Sequence, residues 1–582
     1  MPITGKMQMS VLFAMISVFF LTRNNPGNYR KLMKAGLPKT PTIPKFLTDL
    51  AVEAKKIDAT KVFKIGFDPF VHPASFAKDL EDAITTAQDG LDEESEIPLA
   101  KLDTLDQQGN LIDQIWGSER PGIPTSPFRV HPLEYAGVSV QEKVTKIREQ
   151  MREEKATLCV FPALDEIAYL LNLRAKGDVD CNPVGISYCT VSHDAVTLYC
   201  DIENKVMATP EVKAHLDESG VTVSAYENVV PDIEAHLAKS PKHKVWIDKS
   251  KCNYAIARCV PSKQLVDKQN SITPMKAIKN EAELHWMRQA HIVDGVAMAK
   301  FMGWLEDEVV NKGRQVSEVE VDLQLTGERS KQEGFVEVSF PTIAGVGANG
   351  AIIHYRAQEN EIMKYLDTTE PILIDSGGQY LYGTTDVTRT WHFGEATEEF
   401  KECYTRVLKG NIGVDTMIWP ENTPGFVLDM MARKSLWDAQ LDYGHGTGHG
   451  VGAALNVHEG PQSISPRWLN KEVLKAGMIV SNEPGYYVDG KFGIRIENLL
   501  EIAELEPRND AEDGSKKFLH FKGLTVIPIQ KNLIKLDLLS SQEMDWVDNY
   551  HAFVWDTVSP LVEEGSKEYA WLKKSCDKLL RS

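Results

Sequence analysis

Hydrophobic positions recur along this chain in two rhythms. From Asn280 to Asn311, Leu284, Met287, Ala290, Val293, Ala297, Phe301 and Trp304 return every three or four residues. That period predicts one long helix with a core-facing stripe, and Gly313 stops it. Lys143–Glu154 predicts a second, charged helix. Short apolar runs at Thr157–Pro162, Ala195–Asp201 and Lys244–Asp248 predict buried strands separated by helices, hence an α/β domain ending near Pro274. The proline-rich stretch Gly117–Phe128 predicts a linker ahead of it. From Ile343 onward, apolar strand-like runs carry isolated acids. In GIRIENLLEI, alternation predicts a single strand with Ile494, Ile496 and Asn498 on one face and Arg495, Glu497 and Leu499 on the other.

The first residues break the pattern. Val11–Leu21 is an apolar run too short to span a bilayer as a helix. Its length suits a signal-peptide core, yet no small-residue cleavage site follows, so a buried strand or helix explains it as well. The C-terminal CDKLLRS has no hydrophobic tail, and a lipid anchor of the GPI type is not expected.

A chain of 582 residues exceeds one core and implies several domains. The net charge of −19 argues against general affinity for nucleic acid or anionic membrane, because the summed field repels phosphate. Eight cysteines without a CxxC pair, six of them between Cys159 and Cys259, fit free thiols in a reducing compartment, so a cytoplasmic location is expected.

The candidate chemistry lies in the last half. ILIDSGG sets Asp375 at the end of a buried strand, and GTTDVTRTW sets Asp386 eleven residues later in a β-branched strand. A turn between them lets the strands pair and brings the carboxylates together. Two buried carboxylates side by side are costly unless cations neutralise them. In YGHGTGHGVG, His445 and His449 alternate with glycines, which argues for a backbone pressed against a neighbour and against a helical ligand pair. His458 follows in NVHEG, Glu483 stands before a Pro-Gly turn, and Glu497 lies in the alternating strand. Each alone reads as a hydrogen-bonded core residue. Together, two Asp, one His and two Glu form a hard, oxygen-rich set that suits Mn²⁺, Co²⁺ or Zn²⁺ in a dinuclear site and does not suit a cysteine-rich zinc site.

ILIDSGG, GTTDVTRTWHFG, GHGTGHGVG, SNEPGYY and GIRIEN, in that order, resemble the motifs of the pita-bread metallopeptidases, which include methionine aminopeptidase, prolidase, creatinase and aminopeptidase P. The resemblance is strongest to the long, three-domain eukaryotic aminopeptidase P group. It runs from about Tyr29 to the C-terminus and includes LDEIAYLLNLR (Leu164–Arg174) and IIHY (Ile352–Tyr355). It implies an α/β architecture with a pita-bread catalytic domain over 275–582. Two creatinase/prolidase N-terminal-like domains would precede it, an incomplete one over 29–127 and a second over 128–274, with residues 1–28 unplaced.

The resemblance further implies Asp375 and Glu483 as ligands to single metals, His449 as the nitrogen ligand, and Asp386 and Glu497 as bridges. His354, His445 and His458 match the family's active-site histidines, and Tyr487 and Arg495 match residues around its proline pocket. The implied reaction is hydrolysis of the bond between a first residue and a following proline. Two divalent ions, expected to be Mn²⁺, would act with Glu483 as proton carrier and His354 or His458 at the oxyanion. The expected partners are proline-containing peptides and a second copy of the chain in a homodimer.

The resemblance also departs. The opening half of the first domain, with a loop arginine that contacts substrate in relatives, has no counterpart here. Residues 1 to about 125 are therefore expected to be the least stable part, leaving apolar faces in water. Four other readings compete: a prolidase limited to dipeptides, a creatinase, a methionine aminopeptidase, and a non-catalytic binding protein. Chain length and LDEIAYLLNLR disfavour the first, the long stretch ahead of the catalytic domain disfavours the third, and the complete ligand set disfavours the second and fourth.

Overall fold

The computed structural model describes residues 10–12, 41–60, 62–91, 97–106, 109–359, 362–507 and 516–580. Its first module is a parallel three-stranded sheet, β1 (Ser10–Leu12), β2 (Phe63–Phe67) and β3 (Ala100–Thr104), in that order. Helices α1 (Ile43–Ile57) and α2 (Ala74–Asp89) supply the crossovers that parallel strands need. Ser10 and the first two residues of the N-terminal apolar run, Val11 and Leu12, thus form a strand; the rest of that run and the segment around Tyr29 lie outside the described residues. Leu47, Ala51, Ile65 and Leu80 are at most 1% exposed. Helices and sheet thus close over one small core, while Ile57, Phe70, Val71 and Ile115 stay exposed, so the expectation that this region leaves apolar side chains in water holds in part for the described residues. The module is also tied to the next one by main-chain bonds, Ala74 N–H to Cys252 O and Tyr254 N–H to His72 O, both 2.9 Å.

After the exposed stretch around 120–127 comes the second module. Its mixed sheet runs in the order β9-β8-β4-β5-β6-β7. These strands are β4 (Leu158–Phe161), β5 (Tyr188–Ser192), β6 (Val196–Cys200), β7 (Val221–Ala225), β8 (Val245–Ile247) and β9 (Leu265–Asp267). The predicted runs became strands at each of the three places. Helix α3 (Val140–Glu153) begins where Ser139 and Glu142 exchange side-chain and backbone bonds, a capping box that fixes its first turn. Helix α4 (Leu164–Leu170) opens the LDEIAYLLNLR stretch.

The third module opens with α5 (Glu281–Glu306), capped by an Asn280–Glu283 box. The helix continues as one wider turn to Asn311, and Gly313 at φ +61° ends it as predicted. Of the predicted stripe, Met287, Ala290, Ala297 and Phe301 are fully buried. Strands β10 (Ile343–Val346), β11 (Ile372–Ser376) and β12 (Val387–Trp391) form one antiparallel sheet. A second, six-stranded sheet contains β13 (Ile418–Pro420), β14 (Gly448–Gly450), β15 (Glu459–Ile464) and β16 (Ile479–Asn482). A hairpin of β17 (Gly485–Val488) and β18 (Phe492–Arg495) leads to β19 (Asn498–Glu504), which pairs with β16 and with β20 (Phe518–Gly523). Every strand-to-strand pairing in these sheets is antiparallel.

The single strand expected over 494–499 is thus divided. Arg495 ends β18 in the hairpin and Asn498 begins β19 in the large sheet, because Glu497 N–H turns aside to bond Thr388 O at 3.0 Å. All eight cysteines are free thiols. No helix among the described residues is long and apolar enough to cross a membrane.

Candidate functional site

Strand chemistry places each acid. Asp375 sits in fully buried β11, opposite Ile343 of β10 and Thr388 of β12. Asp386 does not lie within a strand; it immediately precedes β12, after the chain has made a detour through Gly378–Tyr380. That detour needs Gly377, where a Cβ would lie 2.0 Å from Thr385 O. His449 is central in β14, and the expected close approach is visible at Gly448, whose Cβ would fall 1.9 Å from Ser481 O. Glu483 follows β16 with its N–H on Thr447 O at 2.8 Å. Glu497 occupies the crossing between β18 and β19, so the division of that strand is what aims it inward.

The ligand-type atoms converge. Asp375, Asp386 and Glu497 form one group with donor atoms within 4.8 Å of one another; His449, Glu483 and Glu497 form a second, and Asp386, His449 and His458 a third. His449 Nε2 lies 3.5 Å from both Asp386 Oδ2 and Glu483 Oε1. Its Nδ1 is 2.9 Å from Gly450 O, which only accepts, so Nδ1 carries the proton and Nε2 faces the carboxylates. Asp375 Oδ2 accepts from Arg495 Nη2 at 2.6 Å, whereas its buried Oδ1 has no hydrogen-bond partner. A buried carboxylate oxygen without a donor fits a cation better than it fits a core.

The electrostatics agree. Burial, reinforced by the neighbouring carboxylates, pushes Asp386 up to about 6 and Glu483 up to about 7. Burial and the same neighbours hold Glu497 well above the carboxylate range. Burial alone would lower His449, but Asp386 and Glu483 outweigh it and raise the ring to about 9. Protons therefore stand in for missing positive charge, and divalent cations are what such a donor set accepts in their place.

These groups line one cavity of about 580 Å³. His354 and His458 stand in its wall on the solvent side, and His445 stands deeper. Burial and Arg495 bring His445 down to about 3, so its ring is neutral. Its Nδ1 donates to Gly446 O at 2.7 Å, which leaves Nε2 to accept from Tyr487 OH at 2.8 Å. That hydroxyl accepts in turn from Arg495 Nη1 at 2.6 Å. Tyr487 is not itself among the residues facing the cavity; it stands behind His445 and joins it to Arg495. Burial, followed by the adjacent His449, lowers His458 to about 4.

Several supporting residues escaped the sequence reading. Thr388 Oγ1 donates to Glu497 Oε2 at 2.7 Å and accepts from Arg495 Nε at 3.1 Å. Ser481 Oγ donates to Glu483 Oε1 at 3.1 Å and accepts from His449 N–H at 3.0 Å. Arg433, held by Asp429, donates to Tyr443 O and His445 O, both at 2.7 Å, and so braces the loop bearing His445. Thr388 and Ser481 stand two residues from Asp386 and Glu483, a spacing that strand periodicity could have flagged. The Asp429–Arg433 brace on a separate helix had no such signal.

Comparison with known proteins places this geometry. The model of "Metallopeptidase family M24" matches residues 285–504, that of the "Creatinase/Prolidase N-terminal domain" matches 119–283, and that of the "C-terminal region of peptidase_M24" matches 517–579. Aminopeptidase P2 of Arabidopsis thaliana is 42% identical over 93% of this chain and 76% of its own length. An X-prolyl aminopeptidase from Caenorhabditis elegans, described as a cytosolic enzyme with a di-nuclear active site, superposes with a TM-score of 0.83 at 32% identity, covering 94% of this chain and 84% of its own. The Xaa-Pro dipeptidase of Bacillus anthracis shares the fold at 21% identity, with a TM-score of 0.53 over 67% of this chain and 99% of its own.

Proposed function

The chain belongs to the M24 metallopeptidase family, and we propose that it is a dinuclear-metal aminopeptidase that releases the first residue of peptides whose second residue is proline. The observation that carries this reading is the overlap of the three donor groups, which share Asp386, His449 and Glu497 inside one cavity.

Asp375, Asp386, His449, Glu483 and Glu497 would hold two divalent ions, Asp386 and Glu497 being the acids common to two groups each. Bound there, the ions supply Lewis acidity and acidify water enough to yield a nucleophile near neutral pH. Mn²⁺ suits a set made mainly of carboxylates. Glu483 takes the proton from the attacking water and delivers it to the leaving imide nitrogen. The rings of His354 and His458, on the open side of the cavity, supply N–H donors to the developing oxyanion. A prolyl amide has no N–H to grip, so recognition depends on ring shape. His445, held in one tautomer through Tyr487 by Arg495, forms the fixed wall against which the ring packs. The free thiols support a cytoplasmic location. A homodimer is the assembly the family resemblance suggests, and light scattering reads it directly.

Hydrolysis of Xaa-Pro, Xaa-Pro-Pro and Xaa-Ala-Pro peptides by one Mn²⁺-loaded preparation tests the assignment. Cleavage of the tripeptide with proline second, and poor cleavage of its alanine counterpart, is expected. Turnover of the dipeptide alone would make the protein a dipeptidase.

A further inference from the structure

The second module touches the backbone that carries His458 through residues of LDEIAYLLNLR. Arg174, the last residue of that stretch, is 2% exposed, and all its hydrogen bonds go to main-chain carbonyls. Two of these are local, to Ala168 O and Leu173 O at 2.9 Å. The other two cross to the catalytic module, to Ala454 O at 2.5 Å and Ala453 O at 3.3 Å. Burying a guanidinium on neutral carbonyls is an expensive way to stabilise a core, so what it holds matters more than the bonds themselves.

What it holds is the loop from 451 to 458 that joins β14 to β15 and ends in His458. Ala454 is fixed at φ +48°, a left-handed conformation that a non-glycine residue keeps only when its surroundings impose it. The next residue, Leu455, is buried in the hydrophobic core of the second module. Its carbonyl accepts from Gln379 Nε2 at 2.8 Å and from Thr384 Oγ1 at 3.1 Å. On the far side of His458, Glu459 gives one oxygen to Lys279 at 2.6 Å and the other to Lys276 at 2.7 Å. Lys276 also meets Asp165 at 2.8 Å, and the segment that carries both lysines is tied back through Thr273 Oγ1 to Glu166 Oε1 at 2.6 Å. Asp165, Glu166 and Arg174 all belong to the one stretch.

His458 itself makes no side-chain hydrogen bond among the described residues, and its ring meets His449 edge-on at 4.3 Å between centroids. His445 and His449 differ, each being oriented by a bond from Nδ1 to a neighbouring carbonyl. The position of the His458 ring therefore depends on the backbone on either side of it, held before it by Arg174 and after it by Lys276 and Lys279 of the segment that joins the second module to the third.

We propose that Arg174, with the Lys276–Glu459–Lys279 cluster, positions His458 for catalysis, so that the second module is a working part of the active site. The inference rests on the reading of His458 as an oxyanion donor, given above. A positioning role makes an Arg174 substitution act through His458 and through nothing else. With Mn²⁺-loaded enzyme and an Xaa-Pro-Pro peptide, Arg174→Met is expected to lower kcat about tenfold or more, with KM changed by less than about threefold and metal content unchanged. In a His458→Ala background, the same substitution is expected to lower kcat by less than about twofold. Should Arg174→Met fail to fold, Arg174→Lys, which keeps the charge but cannot reach both carbonyls, carries the same cycle with a smaller first step. Multiplicative losses in the double variant would overturn the positioning role and leave the His458 reading intact. An unchanged kcat in His458→Ala alone would overturn that reading, and the positioning role with it.

Discussion

Two clusters of buried charge lie close together in this molecule and are built on opposite principles. At the junction of the second and third modules, Glu459 and Asp165 face Lys276 and Lys279 through three contacts of 2.6–2.8 Å. Two negative groups meet two positive ones, and the cluster is complete as it stands. In the cavity, the ion pairs of Asp375, Asp386 and Glu483 go to one permanent cation, Arg495, and one histidine, His449, with Glu497 buried beside them. A buried pair survives by internal compensation, whereas an excess of buried acid survives only by taking up protons or cations. The complete cluster can hold backbone in place, including that beside His458, whereas the excess of acid calls for cations.

The largest expected effect attacks the uncompensated cluster. Asp386→Ala or Glu497→Ala removes an acid shared by two donor groups and should cost activity by about a thousandfold, roughly 4 kcal/mol of barrier. Metal content should fall with it, and Asp375→Ala should cost less. Equal, mild losses in all three variants would undo the assignment of shared and unshared ligands.

Breaking the compensated cluster should spare the metals. Lys279→Met leaves Glu459 facing one lysine and should destabilise the fold by about 3 kcal/mol, read in denaturant melts, while both metals stay bound. Loss of metal before loss of structure would mean that the two clusters are not separable.

pH distinguishes them further. In metal-free protein, Asp386 at about 6 and Glu483 at about 7 lie above their unfolded values of 3.8 and 4.5. The native state then binds more protons than the unfolded one between those limits, so stability falls as pH rises from about 4 to 7. His449, raised to about 9 from 6.5, adds stability below 6.5 that is lost as pH rises through 9. The signs agree: the metal-free protein should melt at lower temperature at pH 8 than at pH 5, and added Mn²⁺ should raise its Tm more at pH 8. A Tm rising with pH in the metal-free protein would contradict the excess of buried acid.

The smallest effect concerns the wall of the pocket. His445→Ala should reduce discrimination between proline and alanine as second residue, about tenfold or 1.4 kcal/mol in kcat/KM. Retained discrimination would place the proline wall elsewhere.

Much of this was legible before folding. Acids isolated in apolar runs, and glycines alternating with histidines, announce strands that carry ligands through a core. The strand holding Arg495 and Glu497 was read as one because alternation continues across residues 494–499, and only a bond from Glu497 N–H to Thr388 O divides it. Arg174 and Ala454 are 280 residues apart, and nothing local to either one encodes the contact. The same holds for the lysines that clasp Glu459. Periodicity reports which face of an element is buried, and it is silent on which distant backbone that face will meet.

The central claim is that the cavity is a two-cation site on which peptide cleavage depends. The direct measurement is metal content by mass spectrometry alongside Xaa-Pro-Pro hydrolysis, before chelation, after it, and after Mn²⁺ is returned. Two divalent ions per chain, with activity lost on chelation and restored with the second ion, is the predicted result. Full activity in protein stripped of metal would contradict it.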